Sequence, residues 1–188
     1  MRGRRGSPGG RRPGRGSAGV RPTAARVREA LFNSLGTRTV GADVLDLFAG
    51  TGALGLEALR RGAASAVFVE RDARLAEQIR TATRAFPEAA VEVWRADVAA
   101  ALGRLAAAGR AFDLILLDPP YGTGALQATL DALAAGPLLR PGGRVVAEGH
   151  WRETPRTPPG WRLVRAARYG ETGLWFFTQA DDAEEGRA

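Results

Sequence analysis

Apolar residues alternate along the chain between short uninterrupted runs and longer stretches with helical spacing. The short runs predict strands, which we place at 43–50, 65–70, 91–97, 112–118 and 143–149. Helically spaced stretches lie between them and predict helices over 53–63, 72–86 and 98–109, with a fourth ending near Ala135. Strands that alternate with helices are typical of βαβ units, so the pattern predicts a parallel sheet covered by helices.

A further helical pattern precedes the first strand. In the segment 23–35, the residues Val27, Leu31 and Leu35 share one helical face, and Thr23 is placed as the N-cap. We expect this apolar face to pack against the sheet, so structural packing explains the helix better than direct catalysis does.

The last two apolar segments depart from the alternation. Residues 161–170 and 173–179 are both predicted as strands, and only the short turn "ETG" joins them. No helix fits between them, so they predict an antiparallel hairpin. The predicted fold is therefore α/β and Rossmann-like, with a mostly parallel seven-stranded sheet and a C-terminal antiparallel hairpin. This arrangement resembles the sheet of class I methyltransferases.

Basic charge is concentrated at the start of the chain. The protein has 27 arginines, no lysine and 20 acidic residues, and nine arginines lie in residues 1–28, which contain no acid. Residues 1–20 are mainly Arg, Gly, Pro and Ser, which predicts a disordered arm. Arginine pairs with phosphate and stacks on bases, which favours RNA as a partner, although a solubilising tail has the same composition. We expect one domain over 21–179 and an acidic flexible tail over 180–188.

The absence of cysteine and the scarcity of histidine exclude several classes of site. The chain has no cysteine and a single histidine, His150. Disulfides, thiolate or multi-histidine metal sites and cysteine nucleophiles are therefore excluded, and we expect no metal. No apolar run approaches the roughly 20 residues that span a bilayer. We expect a cytoplasmic monomer without a membrane partner.

The first chemical motif is a glycine loop after the first strand. Gly50, Gly52 and Gly55 fit the pattern G-x-G-x-x-G, which allows a tight turn and a close approach of backbone to ligand. Dinucleotide-dependent enzymes use the same pattern. Glu70 ends the second strand, where a carboxylate accepts hydrogen bonds from ribose hydroxyls of either kind of cofactor.

Two acids favour S-adenosylmethionine over a nicotinamide. Asp46 lies inside the first strand, where it can face the cationic amino-acid end of S-adenosylmethionine. A nicotinamide dinucleotide would place its pyrophosphate at this loop, and an acid is a less suitable neighbour for that anion. Asp97 ends the third strand and can meet the adenine amino group, with Val98 packing on the ring. Asp97 can equally be the N-cap of the next helix, and both roles can hold together.

The second chemical motif ends the fourth strand. Asp118-Pro119-Pro120-Tyr121 resembles the [DN]-P-P-[YF] motif of methyltransferases that act on exocyclic or amide nitrogens. The lone pair of such an amino group is delocalised, so acceptors for both N–H groups would localise it and direct it at the methyl group. Tyr121 would stack on the base. The structural alternative is a plain strand end followed by a turn.

The motifs combine into a more specific resemblance. Together with "RPTAARVREALFNSLG", "VFVERD" and "RYGETGLWFF", they are similar to the bacterial 16S ribosomal RNA guanine-N2 methyltransferase family, from Arg21 to Gln179. The resemblance implies transfer of a methyl group from S-adenosylmethionine, which leaves S-adenosylhomocysteine, to the N2 amino group of a specific guanine. The implied partner is the 16S rRNA of the small ribosomal subunit.

By position, the resemblance also implies three groups of site residues. The implied cofactor-binding residues are Asp46, Phe48, Ala49, Gly50, Gly52, Glu70, Arg71, Asp97 and Val98. The implied acceptor and catalytic residues are Asp118, Pro119, Pro120 and Tyr121. The implied RNA-binding residues are Arg21, Thr23, Arg26 and Arg28.

Two alternatives share part of this pattern. An amino methyltransferase of the same type could act on DNA adenine or on a protein glutamine, but no linker has room for a DNA-recognition insertion, and no large partner-binding domain is evident. A catalytically silent RNA-binding or assembly module would keep the fold, but the intact glycine loop, Asp118 and Tyr121 argue against it. We interpret Glu148 as a surface or capping acid, and we assign His150 no role.

Overall fold

The computed structural model describes residues 24–180, which form one sheet with helices on both faces. The strands are β1 (Asp43–Leu47), β2 (Ser65–Glu70), β3 (Ala90–Arg95), β4 (Phe112–Leu117), β5 (Leu139–His150), β6 (Trp161–Tyr169) and β7 (Thr172–Gln179). Their order in the sheet is β3-β2-β1-β4-β5-β7-β6. The first five strands pair in parallel, and β7 pairs antiparallel with β5 and β6. The predicted fold class is confirmed.

The helices follow the strands as predicted. They are α1 (Ala24–Leu35), α2 (Ala53–Arg60), α3 (Ala73–Thr83), α4 (Val98–Ala107) and α5 (Ala125–Ala134), and a 3-10 helix covers Gly36–Thr39. Two begin at aspartate caps. Asp72 accepts hydrogen bonds from the amides of Arg74 and Leu75, and Asp97 accepts one from the amide of Ala99. These bonds satisfy amides at helix starts that have no partner within the helix.

The sheet separates two apolar cores. Helices α4 and α5 pack on one face, where Leu105 and Leu130 are fully buried with Ile115. Helices α1, α2 and α3 pack on the other face, where Phe32 and Phe68 are fully buried in the second core. Because both faces are covered, the central parallel strands are apolar on both sides, which explains their uninterrupted hydrophobic runs.

Most strand boundaries lie within two residues of the prediction, and two differ by more. Strand β1 ends at Leu47 rather than at residue 50, because Phe48 and Gly50 have positive φ angles of 60° and 57°, which a strand does not allow. Strand β5 begins at Leu139 rather than at residue 143. Leu139 pairs with Phe112, and the register shifts before the regular pairing resumes at Arg144. Local turn signals therefore hid the start of this strand.

Some predictions fall on residues beyond the described part. The arm over residues 1–20, Arg21, Thr23 and the tail from residue 181 all lie outside residues 24–180. Among the residues that the structure describes, no helix is long and apolar enough to cross a membrane.

Candidate active site

The carboxyl ends of the parallel strands surround a cavity of about 580 Å³, which we call the central cavity. This is the edge at which open α/β sheets bind ligands. Six of the predicted cofactor residues line it: Phe48, Gly50, Glu70, Arg71, Asp97 and Val98. Asp118 and Pro120 of the predicted acceptor motif line the same cavity, together with Thr123 and Ala125, which the sequence did not indicate.

A tight turn carries the chain from β1 into α2. Phe48 has φ 60°, an unusual value for an aromatic residue, and Gly52 has φ 78°. The amide of Gly52 donates to the carbonyl of Ala49 at 2.7 Å, and the amide of Ala49 donates to Val69 of β2 at 3.0 Å. The turn is thereby bonded to the neighbouring strand, and Phe48 and Gly50 are directed toward the cavity. Ala49 and Gly52 support the turn from beneath and do not line the cavity.

Glu70 links this turn to the end of β2. Its Oε2 accepts a hydrogen bond from the amide of Gly50 at 2.8 Å, and its Oε1 accepts one from the amide of Asp72 at 2.7 Å. Both oxygens of a carboxylate can accept more than one hydrogen bond. Glu70 is therefore held by backbone amides at the cavity wall, with acceptor capacity remaining for a hydroxyl-bearing ligand.

Asp46 lies beneath the turn rather than at the cavity surface. Only 1% of the residue is exposed, and its Oδ2 accepts a hydrogen bond from the amide of Gly55 in α2 at 2.8 Å. Burial raises the pKa of the Asp46 carboxyl to about 7, and the nearby charge of Asp118 adds to this effect. The predicted contact between Asp46 and a cofactor stays a prediction.

Asp97 and Val98 occupy the boundary between β3 and α4. The Oδ1 atom of Asp97 caps α4 at 2.9 Å from the amide of Ala99, so the capping alternative is confirmed. Asp97 also lines the central cavity, and the side chain of the buried Val98 lies next to it. Both predicted roles are thus geometrically compatible.

The acceptor motif forms a lip at the end of β4. The amide of Asp118 approaches the carbonyl of Leu47 at 3.5 Å, and Pro119 is buried. Pro120 is exposed, and its carbonyl accepts a hydrogen bond from the Thr123 hydroxyl at 2.8 Å. Asp118 is exposed at the cavity, and partial desolvation by the surrounding protein still raises the pKa of its carboxyl group to about 6.

Tyr121 stands on the far side of this lip. It is 48% exposed and lines a second cavity of about 350 Å³, which we call the side cleft, together with Pro119, Glu153 and Thr154. Pro120 lines both cavities. Burial and the negative charge of Glu148 raise the pKa of the Tyr121 hydroxyl. Tyr121 therefore follows directly on the residue at which the two cavities meet.

Glu148 is a half-buried acid beside Asp118, a position that the sequence interpretation missed. Strands β4 and β5 are neighbours in which Leu117 pairs with Ala147, so Asp118, the residue after β4, lies beside Glu148 within β5. Burial, followed by the charge of Asp118, raises the pKa of Glu148 to about 7. Asp46, Asp118 and Glu148 form a carboxyl row across three adjacent strands. Because the fourth and fifth strands are adjacent in parallel sheets of this kind, the position of Glu148 beside Asp118 could have been predicted.

The predicted RNA-binding residues are only partly described. Arg26 is exposed on α1, whose packed face is formed by Val27, Leu31, Phe32 and Leu35, and Arg28 is half-buried beside that face. Contact of either arginine with RNA stays a prediction. Within residues 24–180, no group of three or more acidic or histidine side chains is arranged to hold a metal ion.

The sheet order, the glycine turn and the lip at β4 define a Rossmann-like methyltransferase fold. The solved ribosomal protein L11 methylase of Lactobacillus delbrueckii shares this fold, with a TM-score of 0.66 at 14% identity over 84% of this chain and 79% of its own. The chain belongs to the family of ribosomal RNA small subunit methyltransferases D, and residues 9–178 match the family model described as Conserved hypothetical protein 95.

Two similar proteins illustrate this membership. The Ribosomal RNA small subunit methyltransferase D of Escherichia coli K12 is 33% identical over 169 residues, which cover 89% of this chain and 84% of the relative. A solved conserved hypothetical protein of Streptococcus pyogenes is 32% identical, with a TM-score of 0.73 over 81% of this chain and 95% of its own. The family resemblance predicted from the sequence is confirmed.

Proposed function

We propose that the protein transfers a methyl group from S-adenosylmethionine to the exocyclic N2 amino group of a specific guanine in 16S rRNA. One observation carries this proposal: the lip residues Asp118 and Pro120 line the same cavity as Glu70 and Asp97. A donor held by the two strand-end acids and an acceptor held at the lip would thus meet in one space. The name of the Escherichia coli relative supports ribosomal RNA as the substrate class.

The central cavity fits S-adenosylmethionine by the chemistry of its walls. Glu70 would accept hydrogen bonds from the ribose hydroxyls, since backbone amides already fix the orientation of its carboxylate. Asp97 would accept one from the adenine amino group, while Val98 packs against the ring. Asp46, buried beneath the glycine turn, would favour the cationic amino-acid end through its charge. When bound, this cofactor supplies an electrophilic methyl group on a sulfonium.

Asp118 would orient the accepting amino group. Its carboxylate can accept an N–H bond and thereby localise the nitrogen lone pair toward the methyl group. The nitrogen gains positive charge during attack, and a carboxylate in a partly desolvated site stabilises that charge more than one in water. The proton can then pass to Asp118, whose raised pKa of about 6 suits an acceptor near neutral pH, or to water.

Tyr121 would hold the guanine ring flat at the mouth of the cavity. Its ring is half exposed at the lip, and the base must leave its RNA stack to reach it. Aromatic stacking contributes about 1–3 kcal/mol per base. Tyr121 would therefore act mainly through binding and orientation.

Mapping the modified nucleotide tests this function. The protein is incubated with labelled S-adenosylmethionine and small ribosomal subunits that lack the modification, and the labelled nucleoside is identified by mass spectrometry. We expect N2-methylguanine at one position. Label on adenine or on a protein would contradict the proposal, and cofactor binding without any transfer to RNA would favour the silent module.

Replacing Asp118 separates chemistry from cofactor binding. We expect Asp118→Ala to reduce transfer by at least about 100-fold, because the amino group loses its oriented acceptor. Affinity for S-adenosylhomocysteine, measured by calorimetry, should change little. Asp131→Ala on the outer side of α5 is the control. Loss of cofactor affinity alone would place Asp118 in a different role.

A further inference from the structure

An aromatic series leads away from the lip on the side of β5. The rings of Tyr121 and His150 meet edge to face, with centroids 6.1 Å apart and planes at 71°. His150 then lies beside Trp151, with centroids 6.3 Å apart and planes at 26°. Three aromatic side chains therefore connect the predicted acceptor site to the start of the connection between β5 and β6.

Two arginines cover the outer end of this series. The Cζ atom of Arg168 lies 3.6 Å from the centroid of the Trp151 ring, and that of Arg152 lies 5.3 Å from it. The Nε of Arg168 donates to the carbonyl of Gly170 at 2.7 Å, which fixes the plane of the guanidinium. Within the described part of the chain, neither arginine forms an ion pair.

The backbone around Trp151 is held by several hydrogen bonds. The amide of Trp151 donates to the carbonyl of Glu171 at 2.9 Å, and the amide of Glu153 donates to the carbonyl of His150 at 2.8 Å. The carboxylate of Glu153 in turn accepts from the amide of Gly122 at 3.1 Å, next to the lip. Trp151 is therefore presented on a preformed surface that is bonded to the acceptor motif.

Two cavities lie along the same route. The side cleft, bounded by Tyr121 and Thr154, opens beside the lip, and a notch of about 210 Å³ lies further out between Trp151, Thr154 and Arg168. Thr154 borders both. A chain that left the lip through the side cleft would meet Trp151 and Arg168 next.

We propose that Trp151, Arg152 and Arg168, the outer platform, bind single-stranded RNA adjacent to the nucleotide held at the lip. This inference rests on the proposed function and deepens it by naming a contact for the flanking strand. Aromatic rings stack on any base, and an arginine on an aromatic ring can stack on a base or bond to a phosphate. A target base that leaves its stack also leaves neighbours that need new stacking partners.

The charges around the outer platform favour RNA over an acidic protein partner. Two acids, Glu153 and Glu171, lie near the two arginines, and the Glu153 carboxylate is oriented by the amide of Gly122 beside the lip. The adjacent edge strand β6 adds Arg162 and Arg165, both exposed, so the surface beyond the platform is basic. Planar rings combined with arginine suit bases and phosphates together, whereas charge alone would suit any polyanion.

Binding of a labelled single-stranded oligouridylate tests the platform directly. Affinity is measured by fluorescence anisotropy over a salt series for the wild type, Trp151→Ala, Trp151→Phe and Arg168→Gln. We expect Trp151→Ala to weaken binding about 5- to 150-fold, the loss of stacking on one base. Arg168→Gln should lower the slope of log affinity against log salt by about 0.7, as expected for one lost phosphate contact. Trp151→Phe keeps a ring and should retain most of the affinity.

Arg84→Gln is the control, because Arg84 is an exposed arginine at the end of α3, which packs on β3 at the opposite edge of the sheet from β6. Equal losses in Arg84→Gln and Arg168→Gln would overturn the platform, as would unchanged affinity in Trp151→Ala. Loss of binding to intact small subunits with unchanged oligouridylate binding would assign the surface to a protein instead. If thermal unfolding shows that Trp151→Ala does not fold, the affinity and salt dependence of Arg168→Gln decide the test.

Methyl transfer to small subunits is measured on the same variants. Normal transfer by Trp151→Ala together with unchanged RNA affinity refutes the platform and leaves the proposed function intact. Absence of transfer by the wild type refutes the proposed function, whereas the oligouridylate measurements still test the platform.

Discussion

Gly55 allows a sharp test of how the glycine turn is supported. It lies in α2 with Phe68 and Asp46 packed against it. A Cβ added at this position would lie 2.7 Å from Phe68 Cζ and 2.9 Å from Asp46 Oδ2. Comfortable contacts between carbon atoms are about 3.5–4.0 Å. Gly55→Ala must therefore displace the buried ring, the carboxylate or the helix.

The expected change in the free energy of unfolding follows from one stabilising and two destabilising contributions. Alanine in a helix interior gains about 0.5–1 kcal/mol over glycine. Overpacking a buried site costs about 1–3 kcal/mol, and weakening the bond between the Gly55 amide and the buried Asp46 carboxylate costs about another 1–3 kcal/mol. We expect a net loss of about 1–5 kcal/mol in the free energy of unfolding.

Gly103→Ala provides the control, because Gly103 lies within α4 and a Cβ there meets nothing within 4 Å. Thermal and urea unfolding of both variants measure the difference. We expect Gly103→Ala to be slightly more stable than the wild type and Gly55→Ala to be less stable. About 2–4 °C of melting temperature corresponds to 1 kcal/mol at this size. Equal stabilisation by the two substitutions would refute the packing argument.

Three further predictions concern the acids of the site. Glu70→Gln should weaken S-adenosylhomocysteine binding by about 10-fold or more in calorimetry, because the amide group cannot accept hydrogen bonds through both of its terminal atoms; unchanged affinity would remove Glu70 from the site. Asp97→Ala and Asp72→Ala should each lose about 1 kcal/mol of stability with their helix cap, but only Asp97→Ala, which alters the central cavity, should also weaken cofactor binding; equal effects on binding would contradict this. Glu148 has a raised pKa, so its burial favours the protonated form, and that contribution to stability is lost as pH rises from about 4.5 to about 7. Glu148→Gln should therefore gain about 1–3 kcal/mol relative to the wild type across this range and then level off; a difference that is independent of pH would contradict the assigned environment.

The sequence predicted the sheet because its signals are local. A strand that is buried on both faces must be apolar throughout, so β2 was placed at its observed bounds from its residues alone. The end of β1 was misplaced because "FAG" is compatible with a strand by composition. Only the positive φ of Phe48, imposed by the bonds of the turn to β2, ends it at Leu47.

The parts of the site that were missed depend on contacts between distant segments. Glu148 looks like an ordinary strand-end acid until the pairing of β4 with β5 places it beside Asp118. His150 and Trp151 become notable only because Tyr121 and Arg168 approach them from other elements. Glycine and proline motifs, in contrast, encode their geometry in a few consecutive residues, which is why the turn and the lip were predictable.

The carboxyl row has a consequence for turnover under the proposed function. Asp46 and Glu148 are close to half-protonated at neutral pH, because their pKa values are both raised to about 7. A positively charged sulfonium favours their ionised forms, so binding of the methyl donor would release protons to solvent and tighten as pH rises. After transfer the sulfur is an uncharged thioether while the ammonium of the amino-acid end remains, so the acids regain only the protons that the sulfonium charge had displaced. The carboxyl row would thus favour the substrate form of the cofactor over the spent form.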